Sequence, residues 1–431
     1  MMLRRFFPLA LAATAGLAAA QTDPVRFARY LDAVEQHSLD LAVQREAITS
    51  ARAGVSIAGV APDPSLSWDV GPKEFSREVN PKPRLGQSLS LSWTLETAGK
   101  RGRRVKAAES TVALTQANAE GVKHNLYSAA AGAFAEACRT REALLRQEAT
   151  LQALSDVVRA NEVRRKAGDV GGLELLQSRS ERDQYQAAVV KARADVRVAR
   201  INLAVPLSRN LAEVFGEQPL DCAYQAFEPG DDVTALVESA LRGRDDVLIA
   251  RATLANARDS ADLARANRYV DPSVSLSYGY TPHGRSSVDA EGQPVDGSPR
   301  SNTLSLSVSI PIPLSRLQRG ELVQAESAVT QALLALRQTE LKAEADVRAT
   351  HAQFLAAREN LARYRDSVLA DSQKVLEGMR LSYRNGAASL LELLNAQRSA
   401  DDAYLAFLQA QSDLANATVL LQLSLAQRPN L

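Results

Sequence analysis

Large aromatic side chains are scarce in this sequence: phenylalanine, tyrosine and tryptophan together make up 5% of its 431 residues. Alanine, leucine, glutamine, glutamate and arginine dominate instead, a composition that favours helices over a compact core. No charge of one sign is in excess, since 51 Lys and Arg face 50 Asp and Glu. This balance argues against a nucleic-acid-binding protein. Beyond the N-terminal residues no apolar run reaches about 18 residues, so we expect no membrane-spanning helix.

Residues that carry chemistry are few and scattered. None of the four histidines has a second histidine or a cysteine three or four positions further on, as a metal site on a helix would favour; they are His37, His124, His283 and His351. The sequence has no phosphate-binding loop, nucleophile elbow or paired-cysteine motif. We therefore expect no catalytic residue, no metal site and no cofactor. An enzyme is the most remote alternative.

The N-terminus has the pattern of a secretory signal peptide over residues 1–20. Arg4 and Arg5 supply a positive start, residues 6–17 are almost entirely apolar, and three alanines precede Gln21. We expect cleavage before Gln21. An uncleaved anchor is the alternative, but an apolar run of about a dozen residues is too short to span a bilayer.

The sequence contains two cysteines, Cys138 and Cys222. Secretion would place both in an oxidising compartment, where they can form a disulfide. Because pairing requires the two residues to lie close together in the fold, the sequence alone leaves it open.

The chain contains two similar halves. A glycine turn followed by Leu-Glu-Leu-Leu occurs near Gly168 and again near Gly386, and Glu174 and Glu392 keep the same spacing. An ordered set of such matches, including an Asp-Pro pair ahead of the strands in each half, indicates a duplication. We therefore divide the chain into signal peptide, first repeat, linker and second repeat, at residues 1–20, 21–215, 216–230 and 231–431.

Each repeat predicts a helix, a strand pair, a very long helix, a glycine turn and a return helix. The first helices, at 24–61 and 232–269, end at the Asp-Pro pairs because the residue before proline disfavours the helical conformation. The long helices, at 98–167 and 316–385, would extend about 100 Å at 1.5 Å per residue. Such helices need neighbours along their length, as in a coiled coil. Several short helices are the alternative, but the glycines and prolines that would break them are missing.

Four segments alternate apolar residues with small polar ones, mostly serine, near residues 65–70, 88–95, 273–280 and 304–310. Successive side chains of a strand point to opposite faces, so each segment has one apolar and one small polar face. This pattern is typical of an outer-membrane β-barrel, although a half-buried strand of a soluble sandwich alternates too. We expect the apolar side chains to face lipid, in particular Leu66, Trp68, Leu89, Leu91, Trp93, Leu276, Tyr278, Leu306 and Val308.

Four strands are too few to close a transmembrane barrel, since the smallest bacterial barrels have about eight. Open sheet edges are not tolerated in lipid, so several chains must contribute to one barrel. A rotationally closed homo-oligomer satisfies this requirement, and three chains would supply about twelve strands. The polar segments at 71–84 and 281–302 have the composition of external loops.

A basic stretch at residues 99–104 lies where the second strand passes into the first long helix. Arg316 and Arg319 occupy the matching place in the second half. Cations at a helix start oppose the helix macrodipole, so something else must favour them. We expect contact with anionic lipid headgroups on the periplasmic side; a solvated basic face is the alternative.

The glycine turn and the sequence Leu-Glu-Leu-Leu-Asn-Ala-Gln at 391–397, repeated in weaker form at 173–178, resemble those of TolC-type outer membrane factors. The resemblance covers essentially the whole chain after the signal peptide. The stretch at 95–101 is similar to one in the cobalt–zinc–cadmium resistance branch of that family. The resemblance implies an α+β membrane protein: a homotrimer with a twelve-stranded β-barrel, four strands from each chain, continued by a long α-helical barrel in the periplasm.

By this resemblance the protein is the outer-membrane exit duct of a tripartite efflux system. It would passively conduct substrate from an inner-membrane pump and a periplasmic adaptor (membrane fusion protein) to the outside. The expected cargo is heavy-metal ions, which would pass through a wide aqueous duct without binding. Drug efflux and type I secretion are alternatives within the family, and a periplasmic coiled-coil adaptor or scaffold is a more remote one.

The resemblance also implies roles for individual residues. Glu392 and Asn395 match positions that ring the periplasmic aperture, whereas Glu174 and Gln177 are their equivalents on the outer helices. Better-studied members carry acids at both aperture positions, whereas here only Glu392 is acidic. Capping of the return helix is the alternative role for Glu392. Adaptor contacts are implied at two turns, which comprise Gly168, Asp169, Val170, Gly171, Gly386, Ala387, Ala388 and Ser389.

Overall fold

The computed structural model describes residues 24–71, 85–230, 232–284, 286–288, 291–297, 299–313 and 319–431. The predicted signal peptide, most of the loop predicted at 71–84, and Arg316 lie outside these residues. In the described part of the chain, no helix combines the length and the apolar character that a bilayer crossing requires.

Each of the two predicted first helices is broken in two, which corrects the single helices predicted at 24–61 and 232–269. The breaks fall at Ser38 and Arg244, whose backbones are extended, with ψ of 125° and 133°. Nothing in the local sequence forbids a helix at either residue, so tertiary contacts decide both breaks. The four helices are α1 (Phe27–His37), α2 (Leu39–Ala58), α7 (Val233–Gly243) and α8 (Asp245–Asn267).

The long helices form largely as predicted. In the first half α3 (Lys100–Ala167) has 68 residues and is continuous, so it extends about 100 Å. In the second half the helix predicted at 316–385 begins at Gly320 and is interrupted by a π-helical turn at Tyr364–Val368. The remaining helices are α4 (Gly172–Asn202), α5 (Ala204–Leu207), α6 (Leu211–Phe215), α9 (Gly320–Arg363), α10 (Leu369–Arg384) and α11 (Leu390–Ser424).

Lateral packing stabilises the long helices. Helix α3 packs against α2, α4, α8 and α11, while α9 packs against α7, α8 and α11. Continuous neighbours allow a helix with few large side chains to remain ordered along its whole length. The prediction of mutually supporting helices is therefore confirmed for the described residues.

The four predicted strands pair in one antiparallel sheet with the order β1-β2-β3-β6. Pairing of β2 with β3 joins the two halves of the chain, and β1 and β6 form the edges. A short hairpin, β4 with β5, occurs within the loop predicted at 281–302. The strands are β1 (Ser65–Gly71), β2 (Gly86–Thr94), β3 (Ser273–Thr281), β4 (Ser287–Val288), β5 (Pro294–Val295) and β6 (Ser301–Ser309).

The largest apolar core lies around the middle of α3, where α1, α5, α6 and the end of α11 meet it. Phe27 and Tyr30 of α1 pack on Phe134 of α3, with ring centroids 5.4 and 5.7 Å apart. Cys138 and Cys222 form a disulfide beside this core. The pairing that the sequence left open is thus present, and it attaches the segment 216–230 to the middle of α3.

Candidate functional site

Two exposed turns lie at the far end of the long helices from the sheet: the first tip turn (residues 168–171) and the second tip turn (residues 386–389). Gly168 and Gly386 have φ of +88° and +75°, a left-handed conformation that favours glycine. The N–H of Asp169 donates to the Arg164 carbonyl, and that of Ala387 to the Ser382 carbonyl, at 2.9 and 2.8 Å. Both bonds close the preceding helix in the same way.

The structure places all eight predicted adaptor-contacting residues at these two turns. Six of them are exposed, while Val170 and Ala388 are half-buried. The turns are therefore accessible to a partner.

Ser389 and Glu392 close the start of α11 with a capping box. The Ser389 N–H donates to Glu392 Oε2 at 2.7 Å, and the Glu392 N–H donates to Ser389 Oγ at 3.3 Å. Hydrogen bonds from the Ser389 N–H and hydroxyl hold the pKa of Glu392 below its ordinary value. The capping role considered for Glu392 is thus present.

Glu392 and Asn395 share one side of α11 because they are three positions apart. Both are exposed, whereas Leu393, Leu394 and Gln397 between and beyond them are buried. The predicted aperture pair therefore faces away from the helices of its own chain.

Tyr383 connects the hairpin of α10 and α11 to the hairpin of α3 and α4, close to the tip turns. Its hydroxyl lies 2.7 Å from Asn161 Oδ1 of α3 and 2.9 Å from Glu174 Oε1 of α4, and these two acceptors share its single proton. The Tyr383 side chain is buried, and the Arg164 guanidinium carbon lies 5.3 Å from its ring centroid. Burial and then the Glu174 carboxylate raise the pKa of Tyr383, so its hydroxyl remains a donor.

Sequence reasoning missed this link. It named Glu174 only as the counterpart of Glu392 and assigned no role to Tyr383. One signal was available, since Tyr383 stands three residues before Gly386 whereas Arg165 holds the matching place before Gly168.

A second polar cluster joins three helices further from the tip turns. The Asp401 carboxylate of α11 is 3% exposed and accepts four hydrogen bonds. The donors are Arg146 Nε and Thr150 Oγ1 of α3 at 2.9 Å each, Tyr185 Oη of α4 at 3.1 Å, and Gln397 Nε2 at 3.2 Å. The four donors compensate the cost of burying this carboxylate. This cluster, like the Tyr383 link, was not predicted from the sequence.

At the other end of the helices, one face of the sheet is apolar. The strand register aligns Leu66, Leu91, Leu276 and Leu306 in one row across all four strands. A second row contains Trp68, Leu89, Tyr278 and Leu304, and Trp93 and Val308 belong to a third. These side chains are largely exposed, for example 68% for Trp68 and 74% for Leu304. A contiguous apolar face of this kind marks an interaction surface.

The opposite face of the sheet consists of hydroxyl groups. One row contains Ser67, Ser90, Ser277 and Ser305, and the next contains Ser65, Ser92, Ser275 and Ser307. The Ser275 and Ser307 hydroxyls lie 2.7 Å apart. Within the four strands Asp69 is the single charged residue. The sheet therefore has one apolar face and one polar face, on which Asp69 is the single charge, as the alternation predicted.

The basic stretch at residues 99–104, at the start of α3, has partners within the chain that were not predicted from the sequence. Arg101 Nε donates to the Gly59 carbonyl at 2.6 Å, and Arg104 donates to the Ala58 and Val60 carbonyls at 3.0 and 2.9 Å. These carbonyls are the negative end of α2, where cations are favoured. The cations thus compensate a neighbouring helix end, and lipid headgroups are not required to explain them.

Lys100 and Asp271 form a half-buried ion pair beneath the sheet. Lys100 Nζ donates to Asp271 Oδ2 and to the Tyr269 carbonyl, both at 2.6 Å. The Thr97 N–H donates to Asp271 Oδ1 at 2.8 Å. Burial opposes ionisation of Asp271, but the bonds from Lys100 and Thr97 outweigh it and hold its pKa below the ordinary value. This pair joins the two halves where the strands meet the helices.

Comparison with known proteins decides what kind of molecule carries these features. The sequence profile of the outer membrane efflux protein family matches residues 30–207 and 236–427. The chain belongs to this family. Its family and fold are those of channels rather than enzymes, and its place is the outer membrane with the helical part in the periplasm. The TolC-type resemblance is therefore confirmed.

Individual relatives are distant but match most of the chain. The cobalt-zinc-cadmium resistance protein CzcC of Cupriavidus metallidurans is 22% identical over 425 residues, covering 94% of this chain and 96% of that protein. The outer membrane efflux protein BepC of Brucella suis is 24% identical over 319 residues, covering 74% of this chain and 66% of that protein. The CusC crystal structure matches with a TM-score of 0.75 at 18% identity, covering 93% and 92% of the two chains.

Proposed function

We propose that this chain forms the exit duct of a tripartite efflux system and passively conducts heavy-metal ions out of the cell. The observation that best supports a duct is the sheet with one exposed apolar face and one hydroxyl face, attached to helices up to about 100 Å long. Lipid would contact the apolar face and water the serine rows. The metal cargo is inferred from the likeness to CzcC over 425 residues.

The two sheet edges support a closed homo-oligomer, for which we propose three chains. Strands β1 and β6 each have one unpaired side, and unpaired edges are not tolerated in lipid. Pairing of β1 from one chain with β6 from the next would close a barrel, and three chains would supply about twelve strands. The two matched segments of the family profile support the predicted duplication into 21–215 and 231–431, joined by the linker 216–230.

The periplasmic end would contain both the docking site and the gate. A periplasmic adaptor, itself bound to an inner-membrane pump, would dock at the two tip turns. Three-fold symmetry would gather three copies of Glu392 and Asn395 around one aperture. The Tyr383 bonds to Glu174 and Asn161 would hold the inner hairpin, α10 and α11, against the outer hairpin, α3 and α4. Release of this link would allow the aperture to widen.

Drug efflux or type I secretion is the second candidate, because the protein is also 24% identical to a general outer membrane efflux protein, BepC. A strain that lacks the gene distinguishes the candidates when its growth is measured with cobalt, zinc, cadmium, drugs and detergents. We expect lower tolerance to the metals alone, restored by the gene in trans. Unchanged metal tolerance with greater drug sensitivity would overturn the metal assignment and leave the duct in place.

A further inference from the structure

Cations flank the two tip turns and form no hydrogen bond or close ion pair within the described part of the chain. Arg165 and Lys166 lie in the last turn of α3, and Arg384 lies in the last turn of α10. All three side chains are exposed. No hydrogen bond or ion pair to another described residue involves any of them. We name Arg165, Lys166 and Arg384 the cationic tip surface.

The neighbouring carboxylates are engaged elsewhere. Glu162 pairs with Arg179 at 2.5 Å, Glu174 accepts the Tyr383 hydroxyl, and Glu392 is bound by Ser389. Asp169 is the one exposed carboxylate in the tip turns themselves. These three carboxylates therefore bind groups within the hairpins, and an excess of positive charge remains next to the turns.

Helix dipoles do not account for these cations. A cation is favoured at a helix C-terminus, but each tip turn also contains the start of the return helix, which is positive. The Arg165 side chain lies directly on the start of α4, since a Cβ added to Gly172 would be 2.3 Å from Arg165 Nη1. The partial charges of the two opposed helix ends in one hairpin largely cancel each other. The cations therefore retain most of their attraction for an external anion.

We propose that the cationic tip surface docks a periplasmic protein through carboxylates on the segment that meets the two tip turns. The inference rests on the proposed function, which places adaptor docking at these turns, and it specifies the charge of the partner. Complementary charge across an exposed interface accelerates association and rejects partners of the same sign. In the trimer the surface would occur three times around the duct.

Photo-cross-linking in the native host tests this proposal with the full-length chain. A benzophenone amino acid replaces Asp169 or Ala387, and mass spectrometry identifies the cross-linked segment. We expect an Asp- and Glu-rich segment of a periplasmic protein. A neutral or basic segment, or cross-linked phospholipid, would overturn the cationic docking proposal. Absence of any cross-link at both turns would contradict docking at the tip and thus the proposed function as well.

Charge variants separate electrostatic docking from general damage. R165E/K166E/R384E should reduce the cross-link at least about tenfold, and R165Q/K166Q/R384Q should reduce it less, because neutralisation removes attraction without adding repulsion. The matched control R52E/R197E/R337E makes the same charge change at exposed arginines on α2, α4 and α9 and should leave the cross-link unchanged. Circular dichroism and oligomer mass verify that each variant folds. A folded R165E/K166E/R384E protein with full cross-linking would refute the proposal.

Discussion

Tyr383 Oη and Glu174 Oε1 lie 2.9 Å apart, although the two residues are 209 positions apart in the sequence. Their contact joins two helical hairpins. Tyr383 lies in the last turn of α10, in the inner hairpin. Glu174 lies in the first turn of α4, in the outer hairpin. Their bond lies close to both tip turns, where it connects α10 to α4. The buried Asp401 cluster fixes α3, α4 and α11 further along the helices. The hairpins are thus joined at two levels.

Tyr383→Phe should loosen the tip. It removes the hydroxyl that bonds to Glu174 and Asn161, and loss of a hydrogen bond to a charged group costs about 1.5–3 kcal/mol. Single-channel recording in planar bilayers should show a higher conductance or longer openings. Tyr364→Phe is the control, because Tyr364 makes no side-chain hydrogen bond to another described residue. Identical recordings for the two variants would show that the Tyr383 link does not hold the tip.

Glu392→Gln should reduce cation selectivity if three Glu392 carboxylates line the aperture. The reversal potential in a KCl gradient measures this property, and Glu238→Gln, at an exposed site on α7, is the charge-matched control. Ser389→Ala separates the two roles of Glu392, since it breaks the capping box and keeps the carboxylate. We expect lower thermal stability but near-normal selectivity for Ser389→Ala. A Glu392→Gln protein with unchanged reversal potential would leave Glu392 only its capping role.

Removal of the disulfide should destabilise the protein. Cys138 and Cys222 are 84 positions apart, and cross-links that close loops of this length contribute about 2–4 kcal/mol. C138A/C222A should therefore unfold at a lower temperature than the wild type, measured by circular dichroism. Reductant should lower the wild-type midpoint towards the variant's and leave the variant unaffected. If reductant shifts neither protein, the disulfide adds no stability.

The Lys100–Asp271 pair should make stability sensitive to acid. The folded pKa of Asp271 lies below its ordinary value, so the ionised carboxylate stabilises the fold above about pH 4. This contribution is lost as the pH falls through the lowered pKa. Asp271→Asn should lower the thermal midpoint at pH 7 and remove part of the decline in acid. Asp63→Asn, the exposed counterpart in the first half, should follow the wild type; equal acid sensitivity of all three proteins would contradict this role.

Local patterns predicted much of the fold. The alternation of Leu66, Trp68 and their counterparts has a period of two residues, which the pleat of a strand imposes on each segment separately. Gly168 and Gly386 marked the tip turns because a left-handed turn favours glycine. The antiparallel pairing of β2 with β3 then follows from bringing both strand pairs into one sheet.

Features that depend on distant residues could not be predicted in this way. The breaks at Ser38 and Arg244 depend on tertiary packing, and Arg244 is held by Asp246 and Asp346. The basic stretch at the start of α3 is explained by the end of α2, which lies beside it only in the folded chain. Tyr383, Asn161 and Asp401 are unremarkable in the sequence, because their partners lie on other helices.

The central claim is that three chains close one duct through the edges of their sheets. Native mass spectrometry of the detergent-solubilised, full-length protein tests it most directly. We predict an assembly with three times the mass of the mature chain, which dissociates when proline substitutions on β6, such as Ser305→Pro, block strand pairing. A solubilised mass equal to one chain, with the sheet still formed, would contradict the account.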